Sequence, residues 1–374
     1  MGLRESTVAG SVNGRLPDPA FWRGKRVFLT GHTGFKGAWL AIWLQRLGSH
    51  ITGFALPPEA ASLGEAAGVE RRITSIRGDI RDMSVLAQAV RAANPHIVLH
   101  LAAQSLVRLS YQQPLETFAT NVMGTAHVLE AARQAPRVQA LVSVTTDKCY
   151  ENQEWAWPYR ENDRLGGHDP YSASKACAEL VAAAWRTSFL SADRPGKPPM
   201  AVATGRSGNV IGGGDWSLDR LVPDCIRAFE SGQTVLIRAP DATRPWQHVL
   251  EPLCGYLLLA EQLCTSGRDF AQAWNFGPIP DDVRPVSHVV RLAADAWGDT
   301  ANWRLIEGPH PHEAGVLAVD SSLARGRLAW RPRLRLPEAL EWTIRWHKQY
   351  LAGSDAGRLV EADVERYEGI GVAK

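Results

Sequence analysis

The sequence predicts an α/β protein: a doubly wound parallel sheet, followed by a smaller C-terminal substrate-binding domain. Short β-rich runs alternate with helical segments from residue 25 to about residue 206, which is typical of a parallel sheet covered by helices. A glycine-rich turn lies between the first strand and the first helix of this pattern. Beyond about Gly214 the alternation stops, and Pro, Arg and Trp become frequent.

Each expected strand is a short run of β-branched and other apolar residues, and each expected helix is longer and carries apolar residues at helical spacing. The strands are expected at 25–30, 50–55, 73–77, 96–101, 140–144 and 200–206, and the helices at 38–45, 122–133 and 171–189. We also expect 234–238 and 247–249 to return strands to the main sheet. The predicted organisation is a flexible leader over 1–20, a dinucleotide-binding domain over 21–214 with returning segments near 234–298, and a mainly substrate-binding domain over 215–374.

Composition and charge exclude several classes of function. Lys and Arg total 41, Asp and Glu total 39, and the net charge of +2 provides no field for nucleic acid or an anionic membrane surface. The longest apolar run, 38–44, is far shorter than the roughly 20 residues of a membrane helix. The five Cys are odd in number and never spaced as CxxC, which favours reduced thiols and a cytoplasmic location. No His, Cys and Asp cluster has the spacing of a metal site, so we expect none.

A glycine-rich turn is the candidate nucleotide cradle. Gly31-His-Thr-Gly34-Phe-Lys-Gly37 joins the first strand to the first helix. Its glycines permit a tight turn and close backbone approach, and the helix N-terminus attracts a pyrophosphate. We therefore expect a Rossmann-type domain in which Gly31, Thr33, Gly34, Phe35 and Gly37 contact a dinucleotide.

The second strand lacks the acidic residue that usually binds the adenosine ribose about 20 residues after the first glycine. It ends Phe54-Ala55-Leu56-Pro57, and no Arg stands there for a 2′-phosphate. The strand therefore leaves NAD and NADP both open. Asp79 and Ile80, after the third strand, are candidates to contact the adenine, and the alternative for Asp79 is a helix N-cap.

Tyr171 and Lys175 form the sequence YSASK at the start of a predicted helix. Four residues apart, they share one helix face. A Tyr has a pKa near ~10 and is a poor base at neutral pH, but a neighbouring ammonium lowers that pKa and can also hold a nicotinamide ribose. We interpret the pair as catalytic and cofactor-binding; the alternative is a surface pair.

Taken together, GHTGFKG, HLAAQ at 100–104, TNVMGT around Asn121 and YSASK resemble an extended short-chain dehydrogenase/reductase acting on nucleotide-sugars. The resemblance covers nearly the whole chain after about residue 20. It implies NAD as cofactor, with the backbone of Leu101, Ala102 and Ala103 packed on it. It also implies a helix-bending role near the site for Asn121, for which the alternative is an N-cap.

Within this family, Thr146-Asp147-Lys148 resembles the CDP-glucose 4,6-dehydratases, as do TTDKCYEN (145–152), RSGNVIGGGDW (206–216), RPWQHVLEP (244–252) and WNFGP (274–278). The resemblance implies that the substrate is CDP-glucose and that the product is a 4-keto-6-deoxy sugar. It assigns Asp147 as the acid, Lys148 as the base and Thr146 as the group that holds the C4 oxygen. To act, Asp147 must be protonated and Lys148 must be neutral, but adjacent residues would stabilise each other's charged forms. The active form is therefore expected to be a neutral pair, in which Lys148 has given a proton to Asp147. The alternative is a solvated turn.

The substrate contacts are expected mainly in the C-terminal half, because the Arg fork suits a diphosphate. The resemblance assigns Arg244 and Asn209 to the phosphates and Gln104 to the sugar pocket. Trp216 and Trp246 either stack on the nucleoside or belong to the core. Further substrate candidates are Arg206, Arg220, Arg238 and Gln247.

Two other functions remain open at this point: a nucleotide-sugar 4-epimerase or reductase on the same scaffold, and a non-catalytic NAD-binding sensor. An epimerase needs neither the acid nor the second base, and a sensor needs neither Tyr171 nor Lys175. The family also implies a homodimer or homotetramer, with the helices around 122–133 and 171–189 as the candidate interface.

Overall fold

The computed structural model describes residues 14–59, 62–190, 199–237, 239–298, 301–305 and 315–371. Its strands are β1 (Arg26–Thr30), β2 (His50–Ala55), β3 (Thr74–Arg77), β4 (Ile97–His100), β5 (Ala140–Val144), β6 (Ala201–Ser207), β7 (Val210–Ile211), β8 (Thr234–Ile237), β9 (Thr243–Pro245), β10 (Gln247–His248), β11 (Ala273–Phe276), β12 (Val283–Pro285) and β13 (Asn302–Leu305).

The helices that cover and extend the sheet are α1 (Pro19–Trp22), α2 (Phe35–Arg46), α3 (Leu63–Ala66), α4 (Val69–Arg72), α5 (Met83–Ala93), α6 (Val107–Gln112), α7 (Pro114–Phe118), α8 (Gly124–Gln134), α9 (Pro170–Ser188), α10 (Leu221–Glu230), α11 (Leu250–Ser266), α12 (Val286–Trp297), α13 (Ser322–Arg327), α14 (Leu336–Leu351) and α15 (Ala356–Gly369). Within the described residues, no helix is long and apolar enough to span a membrane.

The main sheet has seven parallel strands in the order β3-β2-β1-β4-β5-β6-β11. The strand order reverses between β1 and β4, so the crevice at their carboxyl ends is where a doubly wound sheet binds its ligand. The predicted α/β fold is therefore confirmed.

The two segments expected to return to this sheet do not join it. β8 pairs with β13 and β10 pairs with β7, each in a separate two-stranded sheet. The strand that returns is β11, which pairs with β6. For β8 the burial pattern agrees with this placement: β8 alternates between exposed and buried residues, whereas β6, inside the main sheet, is buried along its whole length. A strand covered by helices on both faces needs continuous burial.

Tryptophan accounts for much of the packing between the sheet and its helices. Of the 14 Trp in the sequence, six are among the largest fully buried side chains: Trp22, Trp39, Trp43, Trp274, Trp330 and Trp346. Five of these six indole N–H groups donate hydrogen bonds, and some reach distant parts of the chain, as when Trp39 donates to Gly213 O and Trp330 donates to Glu251 O. Tryptophan therefore joins the C-terminal helices to the sheet.

The predicted leader, 1–20, is only partly covered by the structure, because residues 1–13 lie outside the described residues. Residues 14–20 are not a loose arm. Arg15 forms an ion pair with the buried Glu261, and the same carboxylate accepts hydrogen bonds from the Asp18 amide and the Trp22 indole. A carboxylate in the core requires these donors, so this part of the expected leader is corrected to a packed segment.

Candidate active site

The glycine turn after β1 has the geometry that a pyrophosphate site needs. Gly31 has φ +79°, and a Cβ there would lie 2.8 Å from Ala102 N. A Cβ on Gly37 would lie 2.0 Å from Gly31 O, so the start of α2 packs directly on the turn. Gly34 is exposed and caps α2 without a side-chain hydrogen bond. The first-turn amides of α2 therefore lack a side-chain acceptor from the cap, and they fit a bound pyrophosphate.

The other predicted cofactor residues near this turn hold the neighbouring segments of the chain against it. Thr33 donates from its hydroxyl to Leu56 O at 3.1 Å, which ties the turn to the end of β2. Phe35 is half-buried and packs against the core. The amides of Leu101 and Ala102 both donate to the Thr30 hydroxyl at 3.1 Å, which holds the segment after β4 against β1. Ala103 follows them and is half-buried.

Asp79 and Ile80 lie after β3, beside the cradle. The Arg81 guanidinium and backbone amide bind the Asp79 carboxylate and hold the pKa of that carboxyl below its usual range. Asp82, not Asp79, caps α5, so the alternative interpretation of Asp79 as an N-cap is wrong. Ile80 is buried against Gly124, where a Cβ would lie 2.5 Å from the Ile80 side chain. Their contact with adenine stays a prediction.

Asn121 lies in a single π-helical turn, Ala119–Met123, that precedes α8. Its Oδ1 accepts from the Gln104 amide, and its Nδ2 donates to Gln104 O and to the Ser174 hydroxyl, all at 2.9 Å. Met123, not Asn121, is the cap of α8, so the N-cap alternative is wrong. The side chain instead joins the loop after β4 to α9. The Gln104 side chain is used locally, since it donates to the Thr117 hydroxyl and accepts from the Leu106 amide.

Tyr171 and Lys175 occupy the first two turns of α9, which Asp169 caps. The Lys175 ammonium donates to Val144 O at 3.2 Å. Burial raises the pKa of Tyr171 to about 12, although a hydrogen bond with the Thr146 hydroxyl and the charge of Arg220 act in the opposite direction. Burial lowers the pKa of Lys175 to about 8. The expected lowering of the Tyr171 pKa is therefore corrected, because burial outweighs the neighbouring charges here.

The Thr146-Asp147-Lys148 segment forms a short 3₁₀ turn at the end of β5. Thr146 caps the turn, donating its hydroxyl hydrogen to Asp147 Oδ1 at 3.0 Å. Asp147 is fully buried, and its Oδ2 has no hydrogen-bond partner among the described residues. Lys148 Nζ lies 3.6 Å from Asp147 Oδ1 and 3.5 Å from Asn209 Oδ1. The alternative of a solvated turn is wrong: the acid is buried and the amine reaches it from the cleft side.

The segment after β6 connects this turn to the C-terminal half. A Cβ on Gly208 would lie 3.1 Å from Asp147 Oδ2 and 2.4 Å from the Pro245 ring. Arg244 precedes Pro245 in the chain, and Pro245 packs on Gly208, which lies beside the acid. It is buried to 9 % exposure and donates to Thr243 O. Arg220 is held by Asp215 and by the Ser105 hydroxyl, which lies on the opposite side of the cleft.

Other substrate candidates lie further from solvent. Gln247 is 2 % exposed and donates to Phe276 O. Trp246 is buried and donates to Arg284 O, and Trp216 packs on Trp346 and Tyr350, which favours the core interpretation for both. Arg238 lies outside the described residues.

Arg206 is corrected from a diphosphate candidate to a core residue. Its side chain is 3 % exposed and donates to the Glu179 carboxylate at 2.8 Å. A guanidinium that is already paired in the core has no path to a phosphate in the cleft.

Lys36 is a lysine beside the candidate catalytic residues that the sequence analysis did not single out. Its Nζ donates to the Ser207 hydroxyl at 3.0 Å. Burial, with the charges of Arg220 and Lys175, lowers the pKa of Lys36 to about 7, while Asp147 acts in the opposite direction. The sequence did indicate that Lys36 lies near the cofactor site, because Lys36 is in the first turn of the helix that begins at the glycine cradle. Among the described residues, no group of three His, Cys, Asp or Glu side chains could hold a metal ion.

Comparisons with known proteins identify a matching family, a similar relative and similar solved structures. The family described as the NAD dependent epimerase/dehydratase family matches residues 27–271. The chain is 50% identical over 339 residues to the CDP-glucose 4,6-dehydratase of Salmonella typhimurium, covering 90% of this chain and 94% of that protein.

Two solved structures share the fold. One is a dTDP-glucose 4,6-dehydratase from Streptomyces venezuelae with NAD bound (TM-score 0.74, 23% identity, 87% of this chain and 98% of that chain). The other is a UDP-glucose-4-epimerase from Stenotrophomonas maltophila with bound NAD (TM-score 0.74, 22% identity, 88% of this chain and 100% of that chain).

Proposed function

The chain belongs to the NAD dependent epimerase/dehydratase family, and from this membership we propose that it is an NAD-dependent CDP-glucose 4,6-dehydratase. The reaction converts CDP-D-glucose to CDP-4-keto-6-deoxy-D-glucose and water. The observation that carries the proposal is the buried Asp147 carboxylate with the Lys148 amine 3.6 Å away, next to the Thr146 and Tyr171 hydroxyls. A 4-epimerase or a reductase has no use for this second acid and base.

The residues of the cradle fit NAD, since Gly31, Gly34 and Gly37 leave the start of α2 open to a pyrophosphate. We propose that Lys175, one turn along α9 from Tyr171, holds the nicotinamide ribose. When bound, NAD supplies a temporary store for the hydride that leaves sugar C4 and arrives at C6, so the cofactor ends unchanged.

The chain's own side chains carry out the proton transfers in this proposal. Tyr171 takes the C4 hydroxyl proton as a phenolate while Thr146 holds that oxygen. Because burial raises the pKa of Tyr171 to about 12, this form requires added positive charge at the site, which NAD would supply when bound. Lys148 takes the proton from C5, which the 4-keto group has made acidic, and Asp147 gives its proton to the C6 hydroxyl, which leaves as water. When the hydride reaches C6, the Lys148 ammonium returns a proton to C5. The proton that Tyr171 took from the C4 hydroxyl passes to the Asp147 carboxylate through the Thr146 hydroxyl, which donates to Asp147 Oδ1 at 3.0 Å. All three side chains then have the protonation with which they began.

The C-terminal half, 215–374, is proposed to hold most of the CDP-sugar, together with Asn209 and Gln104. Arg244 and Arg220 are proposed for the diphosphate, because a guanidinium binds phosphate oxygens in pairs. Arg238 and Gln247 stay as predicted contacts. The preference for cytosine follows from the family resemblance.

We also propose a homodimer or homotetramer. Leu115 on α7, Met123 before α8 and Leu180 on α9 are all exposed, at 85%, 53% and 58%, and their helices pack against one another. Exposed apolar side chains grouped in this way indicate an interface. A cytoplasmic location is part of the proposal, supported by five free cysteines.

The test is incubation of the protein and NAD with CDP-glucose that carries deuterium at C4. A dehydrated 4-keto-6-deoxy product with deuterium at C6 is expected. A product that keeps its C6 hydroxyl would indicate an epimerase or reductase, and the absence of any product would favour a sensor. Label lost to solvent would contradict the return of the same hydride to C6. UDP-glucose and dTDP-glucose run in parallel measure the preference for cytosine.

A further inference from the structure

Beneath the catalytic turn lies a buried ion pair to which the mechanism assigns no part. Glu179 on α9 and Arg206 on β6 are each 3 % exposed, and Arg206 Nη2 lies 2.8 Å from Glu179 Oε2. Glu179 follows Lys175 by one helical turn and Tyr171 by two. The pair therefore lies directly behind the residues that are proposed to react.

The carboxylate holds the first end of the turn. The Thr145 hydroxyl donates to Glu179 Oε1 at 2.5 Å, and the Thr204 hydroxyl donates to Oε2 at 2.7 Å. Thr145 immediately precedes Thr146, and its amide donates to Gly205 O. The hydrogen bonds to this carboxylate thus come from β6 and from Thr145, which follows β5 and begins the catalytic turn.

The guanidinium holds the second end. Arg206 Nη1 donates to the Tyr150 hydroxyl at 2.8 Å and to Glu161 O at 2.9 Å, and the guanidinium carbon lies 4.9 Å from the centre of the Tyr150 ring. The Tyr150 hydroxyl in turn donates to Asn275 Oδ1 at 2.7 Å on β11. Tyr150 comes directly after the 3₁₀ turn.

Stability alone does not account for such a pair. Taking two charges out of water costs about as much as their attraction returns, and replacing a buried pair by apolar residues is often neutral or stabilising. What the pair does provide is geometry, because three hydroxyl groups and a backbone carbonyl are fixed to two rigid ions. Two of these hydroxyls, on Thr145 and Tyr150, bracket the four residues that contain the acid and the base.

We propose that the Glu179–Arg206 ion pair positions the catalytic turn, by holding Thr145 at its start and Tyr150 at its end so that Asp147 and Lys148 face C5 and C6 of the sugar. Neither Glu179 nor Arg206 touches substrate in this proposal; both are positioning residues. It rests on the proposed dehydratase function and predicts that loosening the pair slows the loss of water more than the oxidation at C4.

Thr145→Val and Thr145→Ser form a matched pair for the test. Valine keeps the shape of threonine but loses the hydroxyl that reaches Glu179, whereas serine keeps that hydroxyl. We expect Thr145→Val to lower kcat by roughly 10- to 100-fold, as small displacements of reacting groups do, with little change in KM or in the Kd for NAD. We expect Thr145→Ser to remain close to the wild type.

Isotope effects separate positioning from a general loss of structure. With Thr145→Val, deuterium at C5 of CDP-glucose is expected to slow kcat more than it slows the wild type, and deuterium at C4 to slow it less. The Glu179→Gln/Arg206→Gln double variant leaves neither charge unpaired. It is expected to show the same changes, a larger isotope effect at C5 and a smaller one at C4. The control is Glu261→Gln, which removes the buried carboxylate that pairs with the partly exposed Arg15. It should leave both isotope effects unchanged.

The outcomes are distinct. If the wild type forms no dehydrated product from CDP-glucose, the dehydratase function fails. If the wild type forms it and Thr145→Val keeps the wild-type isotope effects, the dehydratase stands and the positioning role is overturned. The role is also overturned if Thr145→Ser is as slow as Thr145→Val, or if Thr145→Val does not fold, since the hydroxyl would then serve stability.

Discussion

Lys148 Nζ lies 3.6 Å from Asp147 Oδ1, with the carboxylate fully buried and the amine partly exposed. At this distance a change in the charge of either group acts directly on the other. This contact bears directly on how the proposed elimination responds to mutation.

We expect Asp147→Asn and Lys148→Met each to lower the rate of 4-keto-sugar formation by about 10²- to 10⁴-fold, the usual contribution of a positioned acid or base. The double variant should lose little more than either single variant, because the groups act as a unit. The rates are measured with CDP-glucose at saturating NAD. Losses that multiply in the double variant would show that the two residues act independently.

Tyr171→Phe is expected to abolish turnover while leaving the fold intact. The ring stays in its pocket, and only the hydroxyl that meets Thr146 is removed. We expect kcat to fall by at least about 100-fold, with an unchanged Tm and unchanged binding of NAD. Tyr111→Phe, at an exposed position (59%), is the control. Full activity in Tyr171→Phe would eliminate the proposed proton transfer.

The lowered pKa of Lys36 predicts that this residue makes a pH-dependent contribution to the free energy of unfolding. Its pKa is lowered from 10.5 to about 7 in the folded protein, so between these pH values the unfolded chain holds the extra proton and stability rises with pH. The cost of the buried charge is complete below about pH 7 and is gone above about pH 10.5.

Lys36→Met removes that cost, so its Tm relative to wild type should be higher at about pH 6 than at about pH 10. Thermal unfolding at the two pH values measures this difference. Lys348→Met, at an exposed lysine, should show the same Tm difference at both. An equal effect of Lys36→Met at both pH values would mean that Lys36 is not buried as a cation.

The cradle predicts that Gly37→Ala weakens NAD binding. The new Cβ would lie 2.0 Å from Gly31 O, and relieving such overpacking typically costs about 1–3 kcal/mol. A matching loss of NAD affinity, roughly 5- to 150-fold, is expected from titration. Gly326→Ala, where a Cβ meets nothing within 4 Å, should bind NAD as the wild type does. Normal affinity in Gly37→Ala would place the pyrophosphate elsewhere.

The exposed apolar residues predict how the oligomer can be broken. Leu115→Glu/Leu180→Glu places two like charges on helices that pack together, so the assembly should dissociate toward monomers. Light scattering after size-exclusion chromatography measures the mass. Leu351→Glu, at an exposed leucine (47%) on α14, should leave the mass unchanged. A double variant with the wild-type mass would place the interface on another surface.

Local sequence patterns predicted most of the fold. Strands β1, β2 and β5 lie within a residue of their expected bounds, and α9 differs by one residue at each end. These elements end at glycines, prolines and caps, which are signals carried by a few neighbouring residues. The strand that completes the sheet was assigned wrongly, because pairing of β11 with β6 depends on which segment is buried on both faces.

The sequence by itself determined the fold class and the glycine cradle, since each depends on short-range spacing. It also predicted Tyr171 and Lys175 as catalytic residues, and its resemblance to the family added Thr146, Asp147 and Lys148 as predictions. Only the tertiary structure decided that Arg206 is paired with Glu179 rather than free for a phosphate, and that Lys36 reaches Ser207. It also decided that burial raises the pKa of Tyr171. The physical reason is the same in all three cases: charge, burial and hydrogen bonding at a residue are set by segments far away in the chain, which meet only when the sheet and its helices have packed.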